Sequence, residues 1–158
     1  MPTFLAAAPK PELRQALGEL YVFMGRSDEA QPWFDAALAA YLESVQQGGV
    51  HYYHHLADFY ADAHEKPAEA VTWARKDLAL RSNFSTQAAL AWALYKTGEL
   101  VEALHLIKQA LESGVQDAGI FWTASTLFGA SGDAGTSERY ATLADSINPH
   151  YSNFHMHH

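Results

Sequence analysis

The chain has 158 residues, a length that suits one domain able to bury roughly two thirds of its unfolded surface. Its 10 Lys and Arg stand against 18 Asp and Glu, and the formal charge of −8 argues against nucleic acid or an anionic membrane as a partner. The chain has no cysteine, which excludes disulfides and thiol catalysis and fits a reducing compartment. We therefore expect a cytoplasmic protein that has no membrane span.

Residue usage favours helices, because 28 Ala stand against 9 Val and Ile and no long stretch alternates apolar and polar residues. The sequence predicts an all-α chain. Its eight predicted helices cover residues 11–24, 28–46, 50–63, 67–81, 84–96, 100–113, 118–130 and 135–147. Three glycines mark the turns inside helix pairs: Gly25, Gly98 and Gly132. Pro67 suits a first helical turn, Ser27 is placed to cap the second helix, and Asp133 or Thr136 to cap the eighth.

One pattern returns four times along the chain with a period of 34 residues. Its clearest copy contains Leu17, Gly18, Tyr21, Gly25, Ala30, Phe34 and Ala37. Later copies repeat it at Leu56, Leu90 and Ala124, at Gly98 and Gly132, and at Ala110 and Ala144. The four predicted repeats cover residues 11–44, 50–83, 84–117 and 118–151. Such a period predicts stacked helix pairs, none of which buries its apolar face alone.

This pattern resembles that of the tetratricopeptide repeat family, and the resemblance covers residues 11–151. It implies a right-handed α-solenoid of four helix-turn-helix repeats in a single domain, followed by a histidine-rich tail at residues 152–158. The second copy departs most from the family pattern, since it has one extra turn residue and has Asp77 where a small residue is usual. Small residues at the other copies allow the two helices of a pair to approach closely.

The predicted third helix carries a stripe of imidazoles and carboxylates opposite its apolar side. Steps of three and four residues separate its members, which at about 100° per residue places them on one face. The stripe consists of His51, His54, His55, Asp58 and Asp62. In the family that this chain resembles, the first helix of each repeat lines the concave surface. That resemblance predicts a peptide-binding groove formed by Glu19, His51, His54, Asp58, Asp62, Trp92, Tyr95 and Trp122.

An acidic and aromatic groove suits a protein or peptide partner that carries basic and apolar side chains. The resemblance also argues against binding of acidic C-terminal tails, because the corresponding positions hold Glu19, Asp58, Trp92 and Thr126, and only Lys96 is cationic. The alternative is that Trp92 and Trp122 are half-buried spacers between repeats and that the stripe is an ordinary solvated face. We expect a non-catalytic scaffold that has no cofactor.

Two other functions remain open. A metal site is one, since His51 and His55 lie one helical turn apart, as do His54 and Asp58, although no third ligand is assured. Four further histidines near the end of the chain add chelating groups: His150, His155, His157 and His158. Homo-oligomerisation is the other, since no long polar helix follows the eighth helix and covers Tyr140, Leu143 and Ile147. No phosphate-binding loop or nucleophile-elbow motif points to an enzyme.

Overall fold

A computed structural model describes residues 9–151, and within that range the chain is helical with no β-strand. The helices are α1 (Pro11–Phe23), α2 (Ser27–Gln46), α3 (Tyr53–Asp58), α4 (Pro67–Leu80), α5 (Phe84–Thr97), α6 (Leu100–Glu112), α7 (Ala118–Ala130) and α8 (Ala134–Ile147). Seven of them begin and end within one residue of the predicted bounds. The predicted all-α class of paired helices is confirmed. Within residues 9–151, no helix combines the length and apolar character that a bilayer span requires.

The third helix differs from its prediction. Instead of a continuous α-helix over residues 50–63, α3 begins at Tyr53 and gives way to a π-helical turn, Phe59–Ala63. The N–H of His64 donates to the carbonyl of Phe59 at 2.9 Å, which closes the wider ring of a π-helix. This turn absorbs the extra residue of the second repeat while Phe59 and the next two residues stay buried. The regular spacing assumed for the stripe therefore ends at Asp58.

The chain divides into two compact units, Met1–Gly49 and Val50–His158. In the first unit α1 packs against α2, and Gly18 of α1 lies against the ring of Phe34 on α2. A Cβ at Gly18 would lie only 2.5 Å from the ring of Phe34. The buried Tyr41 donates its hydroxyl hydrogen to Gln15 Oε1 at 2.9 Å, so the pair also has an internal polar link. The prediction of a single domain stays a prediction.

The second unit contains three helix pairs, formed by α3 with α4, α5 with α6, and α7 with α8. Successive pairs nest: α4 contacts α5 and α6 contacts α7, while the first helices meet one another as α3 with α5 and α5 with α7. Large apolar side chains fill the layers between these helices, namely Leu56, Leu90, Leu94, Ile107 and Leu127. Small side chains are buried at the close approaches, namely Ala57, Ala70, Ala91, Ala103, Ala124 and Ala144. The first helices thus form one continuous face of this unit.

Helix ends follow the local signals in most places. The three predicted turn glycines adopt positive φ angles of 73°, 87° and 88°, which a residue with a Cβ rarely adopts. Asp133 caps α8 by accepting from the N–H of Thr136 at 3.1 Å, as predicted. Ser27 does not cap α2, because it is the first helical residue and Arg26 occupies the cap position. Asp117 caps α7 by accepting from the N–H of Ile120 at 2.9 Å.

Candidate functional site

The acidic part of the site lies on the π-helical turn, where Asp62 faces the next helix pair. Both carboxylate oxygens of Asp62 accept from the indole N–H of Trp92, at 2.9 and 3.2 Å. The ammonium of Lys96 lies 3.9 Å from the same carboxylate and 3.5 Å from that of Glu65. Asp62 is therefore held in place by α5, and a cation already lies beside it.

Four aromatic side chains continue from Asp62 across the first helices of the second unit. The ring centroids of Tyr95 and Trp92 are 5.3 Å apart, those of Trp92 and Trp122 are 5.7 Å apart, and those of Trp122 and Tyr151 are 6.4 Å apart. We call these four residues the aromatic row. Trp92 is only 8% exposed, so it belongs to the core beneath the row, whereas the other three are half-buried. Trp122 and Tyr95 therefore form the part of the aromatic row that a partner could reach.

Tyr151 occupies the end of the aromatic row although it belongs to no helix pair. Its phenol lies against the first turn of α7, since a Cβ at Gly119 would be 2.6 Å from the Tyr151 hydroxyl oxygen and 3.2 Å from Cζ. Burial chiefly, and then the nearby carboxylates of Asp117, Asp58 and Asp62, raise the pKa of Tyr151 to about 12. The phenol therefore lies close to the acidic side chains of the site.

His54 lies between two carboxylates at the edge of the site. Its Nε2 is 3.3 Å from Asp58 Oδ2, and its Nδ1 is 3.3 Å from Asp77 Oδ2. Asp77 is 1% exposed and forms a salt bridge with Arg81, which donates to it from Nε at 3.1 Å and from Nη2. No well-aligned hydrogen bond within residues 9–151 reaches Asp77 Oδ2, so His54 makes an ionic contact there only when protonated. His54 thus connects the predicted stripe to Asp77, a buried acid on α4.

The remaining predicted residues make other contacts. His51 precedes α3, and its ring centroid is 3.9 Å from that of Tyr52. The ring of His55 packs edge-on against Tyr52 at 5.5 Å. Glu19 belongs to the first unit, where its carboxylate accepts from Gln15 at 2.9 Å. The structure brings together Asp62, Trp92, Tyr95 and Trp122 through direct contacts, and it pairs His54 with Asp58, whose charge acts on Tyr151.

The metal alternative has weaker support among the described residues. Within residues 9–151 no group of three His, Asp or Glu side chains is arranged to hold a metal ion. His150 is exposed, and its backbone N–H donates to Asn148 Oδ1 at 3.1 Å. The other predicted tail ligands, His155, His157 and His158, lie outside the described residues.

Three residues that shape the site were not among the predicted site residues. Asp77 was noted only as a departure from a small residue; its i, i+4 spacing from Arg81 is a local signal for that salt bridge, whereas its contact with His54 joins two helices and has no local signal. Gly119 gave no signal, because its role depends on a side chain 32 positions further along the chain. Tyr151 could have been suspected, since an aromatic residue closely follows the helix-stopping Pro149.

Comparisons with known proteins agree with this architecture. A family model described as "Tetratricopeptide repeat" matches residues 85–115, which contain most of α5, the turn at Gly98 and α6. A solved structure described as "MamA MSR-1 C2" is similar over 91% of this chain and 80% of its own, with 20% sequence identity and a TM-score of 0.53. At that identity the likeness concerns the fold alone. A search of curated protein sequences gives no match.

Proposed function

We propose that this chain is a protein-interaction scaffold of the tetratricopeptide repeat type, and that its second unit binds a partner segment on the face of α3, α5 and α7. The partner segment carries an aromatic or apolar side chain next to a basic one. Trp122 and Tyr95 of the aromatic row supply the apolar contact, and the carboxylates near them supply the charge. The proposed role is non-catalytic and uses no cofactor.

The contact between Tyr151 and Trp122 carries this proposal. An aromatic ring from outside the helix pairs lies against Trp122, with its hydroxyl over the backbone of Gly119. The place it occupies therefore has the size and surface that an aromatic side chain needs. Tryptophan and tyrosine provide much of the binding energy at protein interfaces, because they bury a large area at low conformational cost.

The charge around the aromatic row supports the choice of a basic partner. Asp58 is 51% exposed at the side chain, and its charge and those of Asp62 and Asp117 act on the phenol of Tyr151. Lys96 already lies beside Asp62 and Glu65, so a cation is accommodated there. With a formal charge of −8, the whole chain also attracts basic segments during encounter.

Trp92 plays a different part from the one expected for a groove residue. Its indole N–H is directed to Asp62 and its ring is almost entirely buried, so it supports Trp122 and Tyr95 from below. A partner would therefore contact Trp122 and Tyr95 and would meet the charge of Asp58. The spacer role considered for Trp92 and the binding role of its neighbours are compatible.

Selection from a displayed library of random peptides tests the proposal. The full chain serves as bait, and the strongest peptides are then synthesised and titrated calorimetrically. We expect enrichment of an aromatic residue beside Lys or Arg. Replacing Trp122 by Ala is expected to weaken binding at least about tenfold, because the residue is placed as an interface anchor.

A matched control comes from the second helices of the same unit. Glu102 is an acid that pairs with Arg75 on the second helices. Glu102→Gln should leave the dissociation constant of the peptide unchanged, whereas Asp58→Asn should raise it. Two outcomes would rule out this site: selection of acidic peptides, or selected peptides that bind the Trp122→Ala variant and the unchanged protein with equal affinity. Unchanged helical circular dichroism shows that each variant is folded.

Self-association is a second candidate, favoured by the outer surface of α8. Leu143 and Ile147 lie one turn apart and are 37% and 46% exposed, while Tyr140 stacks on Phe128 beside them. Light scattering at micromolar concentration distinguishes a monomer from a dimer, and Leu143→Glu should dissociate a dimer built on this surface. The location in the cytoplasm, which rests on the absence of cysteine, stays a prediction.

A further inference from the structure

We infer that residues 148–151, which follow α8, are an intramolecular ligand of this face, so that a partner must displace Tyr151 before it binds. The inference rests on the proposed function for the existence of such a partner. The docking of the segment itself rests on the described positions of residues 148–151. It assigns a regulatory role to the chain beyond the last helix pair.

A defined turn directs the chain back towards the site. Asn148 ends α8 with an extended backbone, at φ −144° and ψ 96°. The N–H of Tyr151 donates to the carbonyl of Asn148 at 3.0 Å, and the N–H of His150 donates to the Asn148 side chain at 3.1 Å. These two hydrogen bonds fix the four residues in a compact turn. Tyr151 is thereby delivered to the first turn of α7.

The surface that receives Tyr151 fits its ring closely. Gly119 has no side chain, and the phenol occupies the space that a Cβ would need. Trp122 lies one turn further along α7 and contacts the ring at a 6.4 Å centroid distance and an angle of 50°. The raised pKa of the phenol agrees with a buried position beside carboxylates. Tyr151 therefore lies where the proposed partner would place its own aromatic residue.

The composition of the segment complements the site. Residues 149–158 contain no Asp or Glu and include four histidines and a second aromatic residue, Phe154, in a chain whose formal charge is −8. The side chains beyond residue 151 lie outside the described residues. An acid-free segment with aromatic side chains has the chemistry that Asp58, Asp62 and the aromatic row select.

Tethering makes even weak docking effective. A short flexible connection gives a linked group an effective concentration in the millimolar range. If the free segment binds with a dissociation constant of about 0.1 mM, its tethered form weakens a competing partner about tenfold. Only a partner with more contacts than this segment would then occupy the site.

A synthetic peptide of residues 148–158, added to the full-length protein, tests the inference by calorimetry. Tyr151→Ala empties the ring position, so we expect the peptide to bind this variant at least about tenfold more tightly than the unchanged protein. The same peptide with Ala in place of Tyr should not bind. Equal affinity for the two proteins, or no binding to Tyr151→Ala at about 1 mM peptide, would overturn the inference.

Gly119→Ala provides the matched control within the site. The new methyl group occupies the space of the phenol, so the double variant Gly119→Ala with Tyr151→Ala should not bind the peptide. Binding to the double variant as tight as to Tyr151→Ala would also overturn the inference. Circular dichroism checks that the double variant keeps its helical content. We expect no loss, because alanine is a better helix former than glycine.

The library-selected peptides separate this inference from the proposed function. If they bind the unchanged protein and Tyr151→Ala equally but fail on Trp122→Ala, the site binds partners and self-displacement is wrong. If the selected peptides bind Trp122→Ala and the unchanged protein equally, while the peptide of residues 148–158 binds Tyr151→Ala more tightly, then the segment docks and the proposed partner site is wrong.

Discussion

The indole N–H of Trp92 donates to both carboxylate oxygens of Asp62, at 2.9 and 3.2 Å, and so connects α5 to the π-helical turn of the preceding helix pair. A hydrogen bond to a charged group stabilises a fold more than one between neutral groups. Here it joins a wide turn, which regular α-helical hydrogen bonding does not support, to a neighbouring helix. The bond thus fixes the position of the acidic side chain of Asp62 relative to the aromatic row.

Replacing Asp62 by Ala should therefore lower the free energy of unfolding by about 1.5–3 kcal/mol, because the buried indole N–H loses a charged acceptor. Urea unfolding followed by circular dichroism measures the change. Glu138→Ala on the exposed side of α8 serves as a control and should alter stability by less than about 0.5 kcal/mol. Equal effects of the two substitutions would contradict a structural role for this bond.

The buried carboxylate of Asp77 predicts an asymmetric result. Arg81→Ala leaves an anion that is 1% exposed without its guanidinium partner, and should cost about 1–3 kcal/mol, less than a fully buried pair because Arg81 is half exposed. Asp77→Ala leaves Arg81 free to reach water and restores the small residue typical of the repeat. We expect a change below about 1 kcal/mol for this substitution.

Chemical denaturation of both variants checks this ordering. His54→Ala is a useful third variant, since its ring lies 3.3 Å from both Asp58 and Asp77 yet is itself partly exposed. It should cost less than Arg81→Ala. If Asp77→Ala lowers the free energy of unfolding more than Arg81→Ala does, the buried carboxylate stabilises the fold independently of Arg81.

The sequence was sufficient for the elements whose signals are local. Turn glycines and Pro67 predicted the helix ends, because each acts within one or two turns of the chain, and the 34-residue period predicted how the helices pair. The π-helical turn was not predictable in this way, since a single extra residue can be absorbed in a loop or within a helix. His51 was also predicted to lie on the third helix, whereas it precedes α3.

The site was predicted only in part. Repeat periodicity predicted that Asp58, Asp62 and Trp122 lie on first helices and face one side, because equivalent positions of stacked repeats do so. Asp58 and Trp122 lie on α3 and α7, whereas Asp62 lies on the π-helical turn. The contact of Asp77 with His54, and the docking of Tyr151 at Gly119, depend on side-chain reach between elements. No period in the sequence encodes such contacts.

Gly18 predicts a steric limit in the first unit. Ala at this position would place a methyl group 2.5 Å from the ring of Phe34, and overpacking of this kind costs about 1–3 kcal/mol, which outweighs the gain in helix propensity. Gly135→Ala in α8 is the matched control, since no atom lies within 4 Å of its added Cβ, and should stabilise by up to about 1 kcal/mol. Thermal unfolding compares them.

A compensating change sharpens this test. Phe34→Leu shortens the opposing side chain and should recover part of the stability that Gly18→Ala loses, so that the double variant is more stable than the sum of the single changes. Strictly additive losses would show that the ring of Phe34 does not limit the approach of α1 and α2.

The phenol of Tyr151 predicts an alkaline transition. Its pKa is raised from the ordinary value of 10 to about 12, chiefly by burial, so the folded protein holds this proton more tightly than the unfolded chain does. The resulting stabilisation is complete below pH 10 and is lost as the pH rises through about 12. Absorbance of phenolate in the unchanged protein, minus that in Tyr151→Phe, should show one group with a midpoint near pH 12.

The subtraction isolates Tyr151 from Tyr60, whose pKa burial and Glu69 also raise. Circular dichroism recorded at each pH separates ionisation in the folded protein from ionisation after unfolding. A difference curve with its midpoint near pH 10 would mean that Tyr151 is solvated in solution, and the aromatic row would then end at Trp122. A midpoint near 12 with intact helices would instead show that the segment after α8 stays docked in the absence of a partner, as the displacement mechanism requires.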